Sequence, residues 1–75
     1  MKAIVWSSPG CTWCEKAKAL LDSRNIETEV RVVGKGYTKE DLLKAVPTAR
    51  TVPQIFLNEE YIGGYDKLIE KLINN

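Results

Sequence analysis

Cys11 and Cys14 are separated by two residues in a chain that holds no other cysteine and no histidine. Disulfide exchange needs one thiolate to attack a sulfur and a second thiol close enough to resolve the mixed disulfide, and this spacing supplies both. The other common use of such a pair is half of a zinc site, which requires two further cysteine or histidine ligands. Those ligands are missing, so a metal could be held only across a dimer or with an external thiol, and redox chemistry is the stronger reading. A structural staple is a poor fit as well, because a bridge closing so small a loop hardly restricts the unfolded chain.

The two sulfurs are expected to play different parts. From Thr12 to about Arg24, Ala17, Leu20 and Leu21 recur at helical spacing while Glu15, Lys16, Lys18 and Asp22 can face water. Thr12 with Glu15 fits the reciprocal capping pattern S/T-x-x-E, which puts the helix start within a residue or two of Cys11. There the Cys11 sulfur meets free backbone N–H groups and the positive end of the helix dipole, both of which favour a thiolate. Cys11 is therefore expected to attack, and Cys14, a turn further in and shielded, to resolve. Thr12 and Trp13 flank the pair. The Trp13 ring either shields the sulfurs or flanks a bound peptide, or it is a partly exposed packing aromatic. Lys16 and Lys18 add positive potential at most, or are simply solvated.

These residues need elements to position them. Ala3-Ile4-Val5-Trp6 reads as a buried strand, punctuated by Ser7-Ser8-Pro9-Gly10 before the helix. Ile26 to Val33 alternates, with Ile26, Thr28, Val30 and Val32 on one side of a second strand ended by Gly34 and Gly36. Thr38 with Asp41 opens a short helix that Pro47 closes. Gln54–Leu57 and Glu60–Ile62 pair as a hairpin around Asn58-Glu59, and Leu68, Ile69, Leu72 and Ile73 stripe a final helix. The predicted order is βαβαββα, a four-stranded mixed sheet with three helices. A right-handed crossover makes the first two strands parallel, and the hairpin makes the last two antiparallel. That is a thioredoxin-like α/β arrangement.

Composition bounds the partners. A chain of 75 residues has room for one domain, 1–75, and 44% hydrophobic with 28% charged residues is ordinary globular composition. A net charge of +1 with dispersed basic residues argues against nucleic acid. The apolar run at the N-terminus is too short for a signal peptide or membrane span, so a soluble cytoplasmic protein, monomeric by default, is expected.

The sequence resembles the glutaredoxin family over nearly the whole chain, and three segments carry the resemblance: Cys11-Thr12-Trp13-Cys14 with the Glu15–Leu21 stretch after it, Thr51-Val52-Pro53-Gln54-Ile55-Phe56, and Ile62-Gly63-Gly64-Tyr65-Asp66. The resemblance implies a glutaredoxin fold and a dithiol glutaredoxin activity. Protein disulfides and glutathione mixed disulfides would be reduced, with glutathione as reductant and co-substrate and no bound cofactor or metal. It implies a cis bond before Pro53, which would lie against the thiols, and a Val52 backbone that pairs with glutathione beside Thr51. The alternative for Pro53 is a trans proline ending a loop. Gly64, Tyr65 and Asp66 would receive the γ-glutamyl end, a role compatible with a hairpin end and an N-cap aspartate. Disulfide-containing or glutathionylated proteins are the implied partners, ribonucleotide reductase among them.

The chain departs from the family pattern in three places. Thr12-Trp13 replaces the usual Pro-Tyr between the cysteines, Ser7-Ser8-Pro9 replaces an upstream basic residue, and Lys67 follows Asp66. Arg50 is a candidate to bind the glutathione carboxylate in place of that basic residue. Two rival readings follow: a glutaredoxin-like thioredoxin re-reduced by a flavoprotein reductase, and a carrier of a glutathione-ligated iron–sulfur cluster.

Overall fold

The computed structural model describes residues 1–73, and its elements follow from local chemistry read outward from the first strand. Strand β1, Lys2–Ser7, is the middle of the sheet and leads through Ser8-Pro9-Gly10 into helix α1, Thr12–Ser23. Gly10 has φ +73, a left-handed conformation that costs glycine little and lets the chain turn sharply into the helix. At the other end of α1, Asn25 takes φ 57. Its N–H bonds to the Asp22 carbonyl at 3.0 Å and that of Ile26 to Leu21 at 3.1 Å, the paired bonds that satisfy the last helical carbonyls.

Strand β2 runs over Glu27–Val33, and α2 over Lys39–Ala45. Thr38 and Asp41 form the reciprocal cap expected of them, with the Asp41 carboxylate 2.9 Å from the Thr38 N–H and the Thr38 hydroxyl 3.1 Å from the Asp41 N–H. The Thr38 backbone N–H holds the exposed Asp41 carboxyl below the ordinary aspartate range. Gln54–Leu57 and Glu60–Gly63 pair antiparallel, joined at Asn58 and Glu59, both with positive φ as a tight two-residue hairpin demands. Helix α3, Tyr65–Ile73, ends the described chain.

The sheet has five strands, not the expected four. Gly36–Tyr37 forms an extra edge strand, β3, pairing parallel with Val32 and Val33, so the hairpin strands become β4 and β5 and the order is βαββαββα. Two residues carry no readable periodicity, and the pairing depends on a turn in which Gly34 N–H donates to the Tyr37 carbonyl at 2.7 Å. In space the strands lie β3-β2-β1-β4-β5, with β1 parallel to β2 and antiparallel to β4. The fold is thioredoxin-like.

The central strand alternates between two cores. Ala3 and Val5 join Ala17, Leu21, Ile55, Leu57 and Leu68 beneath α1 and α3. Trp6 packs with Leu42 and Val46 on the opposite face, edged by Tyr37, Phe56 and Val52. The even-numbered side of β2 faces the first core, since Thr28 and Val30 pair with Ala3 and Val5. Burying a large aliphatic side chain contributes roughly 1.5–3 kcal/mol, so Leu21 and Leu68, both fully buried, fix α1 and α3 relative to the sheet. That placement fixes the ends of both helices, where the site lies. Among the described residues no helix is long and apolar enough to cross a membrane.

Candidate active site

Cys11 is the residue on which α1 begins. It sits just outside the helix with extended backbone, φ −86 and ψ 107, and its sulfur accepts the Cys14 N–H at 3.1 Å. Thus the first-turn cap is the cysteine itself. The expected Thr12–Glu15 box is not formed; Thr12 is the first helical residue, exposed beside the motif, and Glu15 instead pairs with Lys18 at 2.5 Å. Placing Thr12 one residue inside the helix leaves the capping position to Cys11, which binds the chemistry to the helix start more tightly than the sequence pattern implied.

The two cysteines are joined as a disulfide, with Cα atoms 5.2 Å apart. Their surroundings differ as expected. Cys11 is half-buried, whereas Cys14 has 0% of its surface exposed and lies on the buried face of α1 with Ala17 and Leu21. An external reagent therefore reaches the Cys11 sulfur first. Once the bridge is reduced, a thiolate on Cys11 keeps the Cys14 N–H and the helix terminus as stabilising partners. A full charge on buried Cys14 has no such outlet.

The second side of the site comes from far along the sequence. The Val52–Pro53 peptide is cis. The Cys11 sulfur lies 3.8 Å from the Val52 carbonyl oxygen, a contact across 41 residues of chain. Trp13, Thr51, Val52, Pro53, Gly64, Tyr65, Asp66 and Lys67 line one groove of about 460 Å³. Thr51, Val52, Pro53, Gly64, Tyr65 and Asp66, expected at a glutathione site, are thereby gathered in one groove next to the nucleophile. Trp13 is 53% exposed and its ring sits 5.4 Å from that of Tyr65, so it forms a rim of the groove rather than a lid over the sulfurs. Lys16 is not merely solvated, since its Nζ lies 4.4 Å from the Trp13 ring centroid.

The far wall is built by a tight turn into α3. Gly63 has φ +120, a conformation that favours glycine, and a Cβ there would meet Lys67 Cγ at 3.1 Å, so the Lys67 side chain would also have to shift. Asp66 is not the helix cap that the sequence allowed; α3 starts at Tyr65 and Asp66 is in its first turn. The first residues of α3 line the groove, and their N–H groups have no intrahelical acceptor, a position suited to a carboxylate. Arg50 is exposed and does not line this groove.

One pair of supporting residues was not recognised in the sequence. Gln54 is only 7% exposed; its Nε2 donates to the Thr51 carbonyl at 2.7 Å, and its Oε1 accepts from the Tyr61 hydroxyl at 2.6 Å. This chain of bonds holds the segment before Pro53 from behind. The available signal was a polar residue opening an otherwise apolar strand, Gln54-Ile55-Phe56-Leu57, directly after the proline. Among the described residues no group of three or more histidine, cysteine or acidic side chains is placed to hold a metal ion.

Comparison with known proteins meets this geometry. The glutaredoxin family model matches residues 3–62. Glutaredoxin 1 of Escherichia coli K12 is 38% identical over 72 residues, covering 87% of this chain and 85% of its own. A glutaredoxin of Haemophilus influenzae is 39% identical over 71 residues, covering 85% of this chain and 82% of its own. Among solved structures, reduced Escherichia coli glutaredoxin superposes with a TM-score of 0.82 at 32% identity, over 100% of this chain and 96% of that one. A buckwheat glutaredoxin–glutathione complex superposes at 0.81 with 26% identity, over 96% of this chain and 68% of that one.

Proposed function

The chain belongs to the glutaredoxin family and is a thiol–disulfide oxidoreductase, and from that premise we propose that it is a dithiol glutaredoxin that uses glutathione as its reductant. The observation that carries this reading is the groove joining the Val52 backbone, Pro53 and the start of α3 to the Cys11 sulfur. Glutathione is an extended tripeptide with a carboxylate at each end. An open backbone edge beside the nucleophile can pair with its cysteinyl unit, and the free N–H groups of α3 can take its γ-glutamyl carboxylate. The buckwheat relative was solved as a glutathione complex.

In the reaction, the Cys11 thiolate attacks the glutathione sulfur of a mixed disulfide and the protein thiolate leaves. A Cys11–glutathione disulfide forms. A second glutathione thiolate then attacks the glutathione sulfur of that bridge, releasing oxidised glutathione and restoring Cys11. With a protein disulfide as substrate, Cys11 attacks one sulfur and the other leaves as a thiolate; Cys14 then attacks the Cys11 sulfur of the mixed disulfide and releases the sulfur first attacked. The substrate gains two electrons and the protein is left with the Cys11–Cys14 bridge, which two glutathiones reduce in turn. Burial of Cys14 keeps it out of the first step and proximity brings it into the second.

Disulfide-containing and glutathionylated cytosolic proteins are the proposed clients, with ribonucleotide reductase one of them. A chain whose only cysteines form a reducible C-x-x-C pair is suited to a reducing compartment. The deciding experiment is turnover of a glutathione mixed disulfide with glutathione as sole reductant, coupled to glutathione reductase and NADPH oxidation. Sustained turnover that vanishes in Cys11→Ser supports the reading. No turnover, alongside reduction of the bridge by thioredoxin reductase, replaces it with a thioredoxin-type protein.

A further inference from the structure

A second cavity, of about 410 Å³, touches Cys11 and shares no residue with the first. Its walls include Ser8, Thr12, Glu15, Lys18, Val32 and Lys35. The sheet order locates it: β1, the strand that leads to Cys11, is central, the first groove lies towards β4, β5 and α3, and this one towards β2. The nucleophile therefore stands between two depressions of different character. The first is bounded by aromatic rings and backbone; the second is polar and carries two lysines.

The charges in it are not balanced. Glu15 is taken up by Lys18. Lys35, on the turn between β2 and β3, has no carboxylate partner among the described residues. The Ser8 and Thr12 hydroxyls likewise donate to no acceptor among the described residues. What remains is a net positive hollow with spare hydrogen-bond donors, beside the attacking sulfur.

We propose that this cavity receives the polypeptide part of the substrate, through an acidic side chain close to the target cysteine. The proposal rests on the glutathione reading, because a glutathione held in the first groove leaves the protein side of a mixed disulfide to lie elsewhere around Cys11. This cavity, lined by Cys11 itself, is then the one left open, and its charge fits aspartate or glutamate. Lys35 is then a specificity residue for protein clients, without a part in the exchange itself.

The test uses two peptides that differ only in having aspartate or lysine two residues from a single cysteine, each capped with glutathione as a mixed disulfide. Pre-reduced protein is mixed with either peptide, quenched, and the freed peptide separated and counted. This single-turnover reaction needs no recycling by glutathione, so it remains readable even if the glutathione-dependent assay above fails. The disulfide of 2-mercaptoethanol serves as an uncharged small substrate. The aspartyl peptide is expected to react about two- to fivefold faster than the lysyl one, the range that exposed charge pairs supply, and the ratio is expected to shrink as salt rises. Lys35→Glu is expected to abolish or invert the ratio while the small disulfide reacts at the original rate. Equal rates for the two peptides in the unaltered protein, or a ratio that survives Lys35→Glu, overturn the proposal.

Discussion

The two sides of the catalytic cleft are made in opposite ways. The side that carries the sulfurs is local: Cys11, Thr12, Trp13 and Cys14 are consecutive, and one helix start orients all of them. The side that faces them is assembled from Thr51–Pro53 and Gly64–Lys67, held in place by Gln54 and Tyr61 behind and by α3 packing below. Chemistry thus depends on backbone groups that come with the helix, and recognition depends on tertiary contacts that must first be made. Damage to each side should read out differently.

The largest effect is expected on the local side. Cys11→Ser removes the accessible sulfur and should eliminate both the glutathione-linked and the protein disulfide reactions, while Cys14→Ser should leave the first largely intact and eliminate the second. Parallel assays of the two variants on both substrate types check this. Equal losses in the two variants would erase the division of labour between an exposed and a buried cysteine.

Next in size are Leu21→Ala on α1 and Leu68→Ala on α3, each expected to cost about 2–5 kcal/mol by denaturant unfolding. Both leucines belong to one core, so both sides rest on shared packing, and against a total of about 5–15 kcal/mol either loss is severe. A near-zero cost for Leu68→Ala would mean that the recognition side stands without its helix. Gln54→Leu strips the Thr51 carbonyl and the Tyr61 hydroxyl of their partner. Loss of a brace worth about 1–3 kcal/mol should raise the KM for a glutathionylated substrate about tenfold with kcat little changed. Tyr61→Phe, which removes only the outer bond, should raise it less than about fivefold. If both substitutions lower kcat instead, the brace acts on the sulfurs and the two sides are not separable.

The smallest effect lies away from the cleft. The Asp41 carboxyl is held below its ordinary value by the Thr38 N–H. Its contribution to α2 is therefore present above the unfolded aspartate pKa and is lost as pH falls through the lowered folded value. Asp41→Asn should flatten the acid end of a stability-against-pH curve while catalysis at neutral pH stays as it was.

The same contrast decides what could be read from the sequence. The C-x-x-C pair, the amphipathic α1 behind it, the Thr38–Asp41 cap and the hairpin at Asn58-Glu59 all declare themselves within a few residues, and all four are in the structure. Thr51–Pro53 and Gly64–Asp66 were identified through the family resemblance, since nothing local says that Val52 will approach Cys11. Strand β3 escaped because two residues show no alternation. The Gln54–Tyr61 brace escaped because a hydrogen bond between side chains seven residues apart, across a hairpin, leaves no periodic mark. The cap at Cys11 was masked by an equally plausible pattern one residue on.

The strand that the sequence did not announce has a bearing on the protein's behaviour in a crowd. A sheet's outer strands expose unpaired N–H and C=O groups on which another chain can build, and long flat edges invite fibres. Here one border is the two-residue β3, which follows the Gly34 turn and leads directly into the Thr38 cap of α2, and the other is the four-residue β5, whose pairing with β4 slips at Ile55 and Phe56 and whose Glu60 is charged and exposed. Neither border offers a run long or regular enough to template a neighbour. The fold is thus guarded against aggregation at the two places where a sheet of this size is most open to it.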